Sequence, residues 1–163
     1  MTTYRRSSIK YTSLLLTIII ASYASAQSKP SDYACTEAKP ELQCVAANTC
    51  GSASTPCEID VKRTANAASA TPSIPGAKGN SLVCVKAGTT VQWKSTGRNI
   101  GFVVDFGPSS PFQPNGAIMG GSDRAISVVA KTPGCFKYSA GACMSGAIYG
   151  MCGQANPRLI VIP

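Results

Sequence analysis

Eight cysteines and no histidine occur in this chain of 163 residues, and an apolar leader precedes all of the cysteines. The cysteines are Cys35, Cys44, Cys50, Cys57, Cys84, Cys135, Cys143 and Cys152. An even number in a short exported chain is typical of a disulfide framework, so four disulfides are expected. The absence of histidine removes the commonest general base and transition-metal ligand from every candidate mechanism.

The leader, residues 1–26, has the three parts of a secretory signal peptide. Three basic residues lie in the first ten positions, an apolar run follows at residues 14–20, and Ala24-Ser25-Ala26 forms a cleavage site before Gln27. The apolar run is shorter than the roughly 20 residues that span a bilayer. We therefore predict a secreted or periplasmic protein with no transmembrane segment after signal removal; an uncleaved anchor is the alternative.

The mature chain of about 137 residues fits one domain and carries 12 basic against 7 acidic side chains, a net charge of +5. No run of lysine or arginine exceeds two residues, and no basic cluster is interleaved with aromatic residues. This pattern argues against nucleic-acid binding. It leaves an exported protein or a surface ligand as the expected partner, with a weak preference for anionic surfaces.

The cysteines fall into two groups. Four lie within residues 35–57, a segment too small and polar to bury a core, so local crosslinks of about 2–4 kcal/mol each are expected to order it. The other four belong to the body of the domain, and there we favour the pairs Cys84–Cys135 and Cys143–Cys152, the second flanking a Gly-rich loop at residues 144–151. A structural zinc site is the alternative, but the chain has no CxxC pair and no histidine.

From Glu58 onward, short β-branched and apolar segments alternate with Gly- and Pro-containing turns, which predicts an all-β sandwich. No stretch shows a sustained helical period. Seven strands are expected, at residues 58–62, 82–86, 89–94, 101–106, 125–130, 135–139 and 158–162. Two segments rich in Pro, Gly and small residues, 64–80 and 107–121, are expected to be connections, the second across one end of the sandwich. The predicted organisation is a signal peptide (1–26), a Cys-rich N-terminal extension (27–57) and a β-sandwich (58–163).

Three segments together resemble the cupredoxin-like family. They are residues 85–93 (VKAGTTVQW), residues 133–139 (PGCFKYS) and the closing apolar strand at residues 159–161. The resemblance covers residues 58–163 and implies a Greek-key β-sandwich.

The copper ligands that the resemblance requires are missing from this chain. A type 1 copper centre uses two histidines, one cysteine thiolate and usually an axial methionine. The first histidine would fall near Asn99 or Ile100 and the cysteine at Ala140, and only Met144 or Met151 could be the axial ligand. We therefore expect no cofactor, and a binding or structural module rather than an enzyme.

A second set of donors gives an alternative function. Cys143, Met144, Met151 and Cys152 place two thiols and two thioethers around one loop, and such ligands select Cu(I). The alternative is thus a periplasmic copper-binding or electron-transfer protein. The competing interpretation, favoured by an oxidising compartment, is a disulfide with methionines that fill gaps.

No catalytic residue is predicted. A serine or cysteine nucleophile would have no histidine partner, and paired carboxylates would have to be Asp105 and Asp123. Phe112, within the second long connection, is the candidate for a partner contact. Its alternative role is a plug over the end of the sandwich.

Overall fold

A computed structural model describes Tyr33 and residues 35–65, 67–144, 147–150 and 157–163, with the backbone alone for 147–150. The predicted signal peptide therefore lies outside the described residues. These residues form an all-β protein, as expected, with two short 3₁₀ helices, Pro40–Gln43 and Ala46–Asn48, between Tyr33 and the first strand. The strands are β1 (Cys57–Thr64), β2 (Ala67–Pro72), β3 (Val83–Lys86), β4 (Thr90–Lys94), β5 (Gly101–Asp105), β6 (Ile118–Gly121), β7 (Ile126–Val129), β8 (Gly134–Lys137), β9 (Ser139–Met144), β10 (Ala147–Gly150) and β11 (Arg158–Ile162).

The described strands make three sheets. The first has the order β2-β1-β4-β7, the second β10-β9-β5-β6 and the third β3-β11-β8. Two of the pairings are parallel, β1 with β4 and β3 with β11, and the other pairings are antiparallel. Each parallel pair joins strands that are not consecutive in the chain, so both require crossover connections.

The sheets share one core because apolar side chains alternate along their strands. Ile59 and Val61 on β1 are fully buried, as is Val104 on β5, where Phe102 is almost so. Strand β9 of the second sheet contacts both β1 and β2 of the first. The third sheet adds its own inward side chains to the same core: Val83, Val85, Phe136, Leu159 and Val161.

All seven predicted strands are present, within a residue or two at their ends except at residues 135–139. That segment is divided: β8 belongs to the third sheet and β9 to the second. The chain crosses between the two sheets at Tyr138, whose backbone amide donates to the carbonyl of Pro157 at 3.1 Å. The ring of Tyr138 is fully buried at this crossing.

Four strands were missed because their residues are small. Strand β2 lies in the expected connection 64–80, and the side chains it buries include those of Ala68 and Ala70. Strand β6 lies in the expected connection 107–121. Strands β9 and β10 replace most of the expected Gly-rich loop and pair with each other as a hairpin. Alanine and glycine have low β-propensity, so sequence pattern gives little sign of such strands.

Residues 35–50, here called the strap, lie across the outer face of the third sheet. On that face Cys84, Ile160 and Cys135 form one row, since Ile160 is opposite Cys84 on β3 and opposite Cys135 on β8. Disulfides from Cys35 to Cys135 and from Cys44 to Cys84 fix the strap at both ends of the row. Ile160 is 1% exposed although it is not part of the main core. The strap therefore covers the second face of β11.

The favoured pair Cys84–Cys135 is wrong, and the register shows why. Both cysteines lie opposite Ile160, so the strand β11 stands between them. Two strand spacings amount to about 10 Å, whereas a disulfide needs Cα atoms about 4.4–6.8 Å apart. The expectation of local crosslinks within residues 35–57 holds only for Cys50–Cys57.

Further contacts hold the strap to the body. Glu37 forms an ion pair with Arg158 of β11. A hydrogen bond from its own backbone amide and the charge of Arg158 lower the pKa of Glu37. At the other end, Thr49 makes a parallel bridge with Cys84, and the amide of Cys50 donates to the Cys84 carbonyl at 2.8 Å. The strap thus pairs with β3 on the side that β11 leaves open.

Tyr33, ahead of the strap, is anchored on β5. Its hydroxyl donates to the Asp105 carboxylate at 3.0 Å and lies 3.4 Å from the Ser139 hydroxyl. Its ring packs on Gly107, where an added Cβ would come within 2.6 Å of the ring. Gly107 also has a φ of 63°, which favours glycine.

The first prediction concerns the unequal contributions of two disulfides to the free energy of unfolding. In the chain-entropy description, a crosslink that closes a longer loop stabilises more. Cys44–Cys84 spans 40 residues and Cys50–Cys57 spans 7. Replacing Cys44 and Cys84 by alanine should lower the free energy of unfolding by about 4 kcal/mol, and replacing Cys50 and Cys57 by about 2 kcal/mol. Urea denaturation measures both; an equal or smaller loss for the longer loop would contradict the prediction.

The second prediction concerns Ile160. Because the strap buries it, Ile160→Ala should cost about 2–4 kcal/mol of unfolding free energy. Ile162→Ala, on the same face of β11 but only partly buried, is the matched control and should cost less. In the Cys44→Ala/Cys84→Ala background the cost of Ile160→Ala should fall, because the cover is no longer fixed. An unchanged cost in that background would show that the strap does not depend on its disulfide.

Candidate functional site

The positions at which the resemblance places copper ligands do not fit type 1 copper. Asn99 is exposed in the turn before β5, and Ile100 is buried beside it. Ala140 is a buried position of β9, paired with Val104, and offers only a methyl group. The donors are thus an amide and two hydrocarbon side chains, where the metal needs imidazole nitrogens and a thiolate.

The alternative Cu(I) ligands do not converge within the described residues. Cys143 and Met144 are consecutive on β9, and successive side chains of a strand point to opposite faces. Met144 packs against the core, so the Cys143 thiol faces the other side of the sheet. Cys143 is free among the described cysteines, and its expected pairing with Cys152 stays a prediction, since Met151 and Cys152 lie outside the described residues.

Another group of metal-type donors is already engaged. The ligand atoms of Cys35, Glu37 and Cys135 lie within 4.8 Å of one another. The two cysteines form a disulfide with each other, however, and Glu37 pairs with Arg158. A disulfide has no thiolate, which is the form of cysteine that binds metals.

The prediction that the Phe112 side chain contacts a partner is wrong, because this side chain is buried. Phe112 is 1% exposed and packs edge-on against Phe106, with ring centroids 5.3 Å apart. Phe106 in turn lies 5.1 Å from Tyr138 and 6.1 Å from Trp93, centroid to centroid. The long connection therefore inserts Phe112 as a plug at the end of the core, which was the alternative role.

Two buried polar atoms of this aromatic cluster have no described hydrogen-bond partner. They are the hydroxyl of Tyr138 and the indole nitrogen of Trp93, whose rings meet edge to face at 5.3 Å. Complete burial raises the pKa of Tyr138 above its ordinary value of 10.0. The group is thus a neutral phenol at physiological pH, and it lies in the core away from solvent.

The two candidate catalytic carboxylates are held far apart. Asp105 ends β5 and accepts hydrogen bonds from Tyr33 and, at 2.9 Å, from the amide of Gly107. Asp123 lies beyond the other end of β5, near Gly121, which pairs with Gly101. Four residues of strand separate these ends, or about 13 Å. The carboxylates of glycosidases stand about 5–9.5 Å apart, so this pair does not form such a site.

A cavity of about 590 Å³ opens between two turns beside β5 and β6. One wall is residues 99–101, and the other is residues 119–124. The second wall is a tight hairpin in which Gly121 and Arg124 exchange backbone hydrogen bonds at 3.0 and 3.2 Å. The amide of Ser122 donates to the carbonyl of Ile100 at 3.0 Å and so joins the two walls.

The polar side chains around this cavity are unengaged. Within the described part of the chain, no hydrogen bond or ion pair involves the side chains of Asn99, Ser122, Asp123 or Arg124, and all four residues are exposed. Met119 adds an exposed thioether, with 67% of its surface accessible. The sequence placed residues 107–121 in an expected connection, and no local signal showed that two segments twenty residues apart would meet.

A second depression, of about 240 Å³, lies on the outer face of the first sheet and has its charges paired. Lys94 contacts Glu58 at 2.5 Å, and Lys62 contacts Asp60 at 3.0 Å. Partial burial acts to raise the pKa of Asp60, but hydrogen bonds from Thr96 and the nearby Lys62 lower it overall. These groups are used within the fold.

A third depression, of about 400 Å³, lies where the strap meets the third sheet. Pro40, Pro133 and Pro163 line it together with Ile160. The exposed side chains Leu42 and Val45 are on the strap itself. This region is apolar and offers few groups that would orient a small ligand.

Comparison with models of protein families, with curated proteins and with solved structures finds no match for this chain. None of the helices in the described ranges combines the length and apolar character needed to cross a membrane.

The third prediction concerns Tyr138. The folded-state pKa of Tyr138 lies above its unfolded value, so the folded protein keeps the phenol proton to a higher pH than the unfolded chain does. The contribution of this proton to the free energy of unfolding is constant below pH 10 and falls as the pH rises beyond it. The free energy of unfolding should therefore fall above pH 10, by at most about 1.4 kcal/mol per pH unit from this group.

Tyr138→Phe is the control, because it removes the titrating hydroxyl and leaves the other groups unchanged. The variant should lose this part of the alkaline decline and should be more stable at pH 7, by about 1 kcal/mol, since the buried hydroxyl has no partner among the described residues. Denaturation curves from pH 7 to pH 11 measure both effects. Identical alkaline profiles for the two proteins would contradict the prediction.

Proposed function

We propose that this protein is an exported, cupredoxin-like binding module that has no type 1 copper centre and acts through the cavity between residues 99–101 and 119–124. The observation that carries the proposal is the position of this cavity. Asn99 and Ile100, where the resemblance places the first copper ligand, line it. A surface that holds a metal in the family would here hold a ligand through polar side chains.

The third sheet supports the cupredoxin-like part of the proposal. All three segments that carry the resemblance reach into it, with residues 85–86 in β3, residues 134–137 in β8 and residues 159–161 in β11, while residues 90–93 of the first segment form β4 of the first sheet. Strand β11 pairs with both of the others. A Greek-key sandwich with long-range pairings of this kind is the architecture that we propose.

Two observations support export. The predicted signal peptide addresses the chain to a secretory route, and the three described disulfides are of a kind that persists in oxidising compartments. The proposed partner is an exported protein or a surface ligand.

The function proposed is binding rather than catalysis. A nucleophile has no histidine to activate it, the two candidate carboxylates stand at opposite ends of β5, and the fully buried Tyr138 is out of reach of a substrate. The cavity offers hydrogen-bond donors, acceptors and opposite charges at its rim, which suit recognition.

The fourth prediction tests the absence of type 1 copper. Copper added to the oxidised mature protein should produce no intense visible absorption and should be removed by dialysis. The same protein, reduced and then freed of the reductant, is the control when Cu(I) is added without oxygen, because its thiolates should retain Cu(I) and show that the assay detects binding. An intensely coloured oxidised protein that keeps copper through dialysis would contradict the proposal.

The use of the cavity is tested with two tryptophan variants. Ser122→Trp places a large side chain at the cavity rim, whereas Ser109→Trp places it on an exposed loop away from the cavity and is the matched control. Components of the exported fraction that bind the immobilised wild-type protein should bind the Ser109 variant equally and the Ser122 variant at least about tenfold more weakly. Equal binding to both variants would place the function elsewhere on the surface.

A further inference from the structure

We infer that the cavity recognises a small zwitterion, a free amino acid or dipeptide whose ammonium group meets Asp123 and whose carboxylate meets Arg124. This inference rests on the proposed binding function and names its ligand class. It starts from two opposite charges that the fold leaves unused.

Asp123 and Arg124 are consecutive residues in the tight turn after β6 and line the cavity. Of the other described carboxylates, Glu37, Glu58 and Asp60 form ion pairs and Asp105 is held by Tyr33. Glu41, on the strap, is exposed and lies outside the cavity. Asp123 has no such partner among the described residues, and neither has the Arg124 guanidinium. Their charges are therefore available to a ligand.

Two glycines leave room for the ligand beside the carboxylate. An added Cβ at Gly121 would come within 3.3 Å of the Asp123 Oδ1 atom, so any side chain there would crowd this oxygen. At Gly120 an added Cβ would come within 2.5 Å of both the Arg124 carbonyl oxygen and the Phe102 ring. The cavity is thus bounded by backbone, with the charged groups at its rim.

The combination of groups discriminates between ligand classes. A simple anion would be attracted by Arg124 and repelled by Asp123. A simple cation would be attracted by Asp123 and repelled by Arg124. A ligand that carries both charges satisfies both groups, and a guanidinium can bind a carboxylate in a bidentate manner. Asn99 and Ser122 can donate and accept further hydrogen bonds.

The size and apolar parts of the cavity fit the same class. A volume of about 590 Å³ lies within the range of about 300–1,000 Å³ for small-molecule sites. The Met119 thioether side chain is exposed at the rim, and such flexible side chains adapt to apolar groups of different shape. An amino acid or dipeptide with an aliphatic side chain uses all of these contacts.

The test titrates the mature protein with L-leucine and with leucyl-leucine, and follows backbone amide shifts by nuclear magnetic resonance. N-acetyl-leucine lacks the ammonium group and leucinamide lacks the carboxylate. We expect shifts confined to residues 99–101 and 119–124, and a dissociation constant at least about tenfold weaker for each blocked analogue. The tighter of the two zwitterions identifies the ligand as an amino acid or a dipeptide.

Two variants assign the charges. In Asp123→Asn the preference for leucine over N-acetyl-leucine should disappear, and in Arg124→Gln the preference over leucinamide should disappear. Both side chains are exposed, so both variants should keep the wild-type melting temperature. Lys94→Gln, whose side chain is paired with Glu58 on the first sheet, is the control and should bind as the wild type does.

Three outcomes would overturn the inference. If the blocked analogues shift the amides of the cavity with the same dissociation constant as the zwitterions, the cavity binds a ligand of another class. The proposed binding function would then stand. Preferences that persist in both variants would assign the charges to other residues. The absence of any shift at tens of millimolar zwitterion would reject this ligand class, while the tryptophan variants test the binding function separately.

Discussion

The row of Cys84, Ile160 and Cys135 across the third sheet is the feature on which the rest of the structure depends. A disulfide holds the strap at each end of this row, and between them an aliphatic side chain is buried on the face of β11 away from the core. Strand β11 is therefore covered on both faces in a domain of modest size. In small exported domains crosslinks commonly replace core that the chain is too short to form.

In this arrangement the contacts that stabilise the third sheet lie apart from the cavity. The strap, its two disulfides and the Glu37–Arg158 ion pair all act on the third sheet. The cavity is formed by the ends of β5 and β6 in the second sheet. Because the two regions share no residue, the turns around the cavity are free to carry unpaired polar groups. A rigid scaffold that presents such groups on short turns is a common basis for recognition.

The sequence allowed prediction of the strands that β-branched and aromatic residues form, such as β3, β4, β7 and β11. It did not reveal β2 or β9, because burial there comes from alanine and glycine in close-packed sheets.

The disulfide pairing could not be predicted for a different reason. It depends on the register of three strands, which sets Cys84 and Cys135 two strands apart. The cavity depends in the same way on the meeting of residues 99–101 with residues 119–124. The Phe112 plug was foreseen only as an alternative, since position in a long loop does not determine the direction of a side chain.

The pairing of Thr49 and Cys50 with Cys84 has a consequence for the edge of the third sheet. An open strand edge exposes amides and carbonyls that can add a strand from another molecule and so begin aggregation. Here the chain's own backbone lies along that edge at Cys84, and the neighbouring disulfide to Cys44 keeps it there. The same covalent bond that stabilises the fold thus also keeps this edge of the third sheet covered at Cys84.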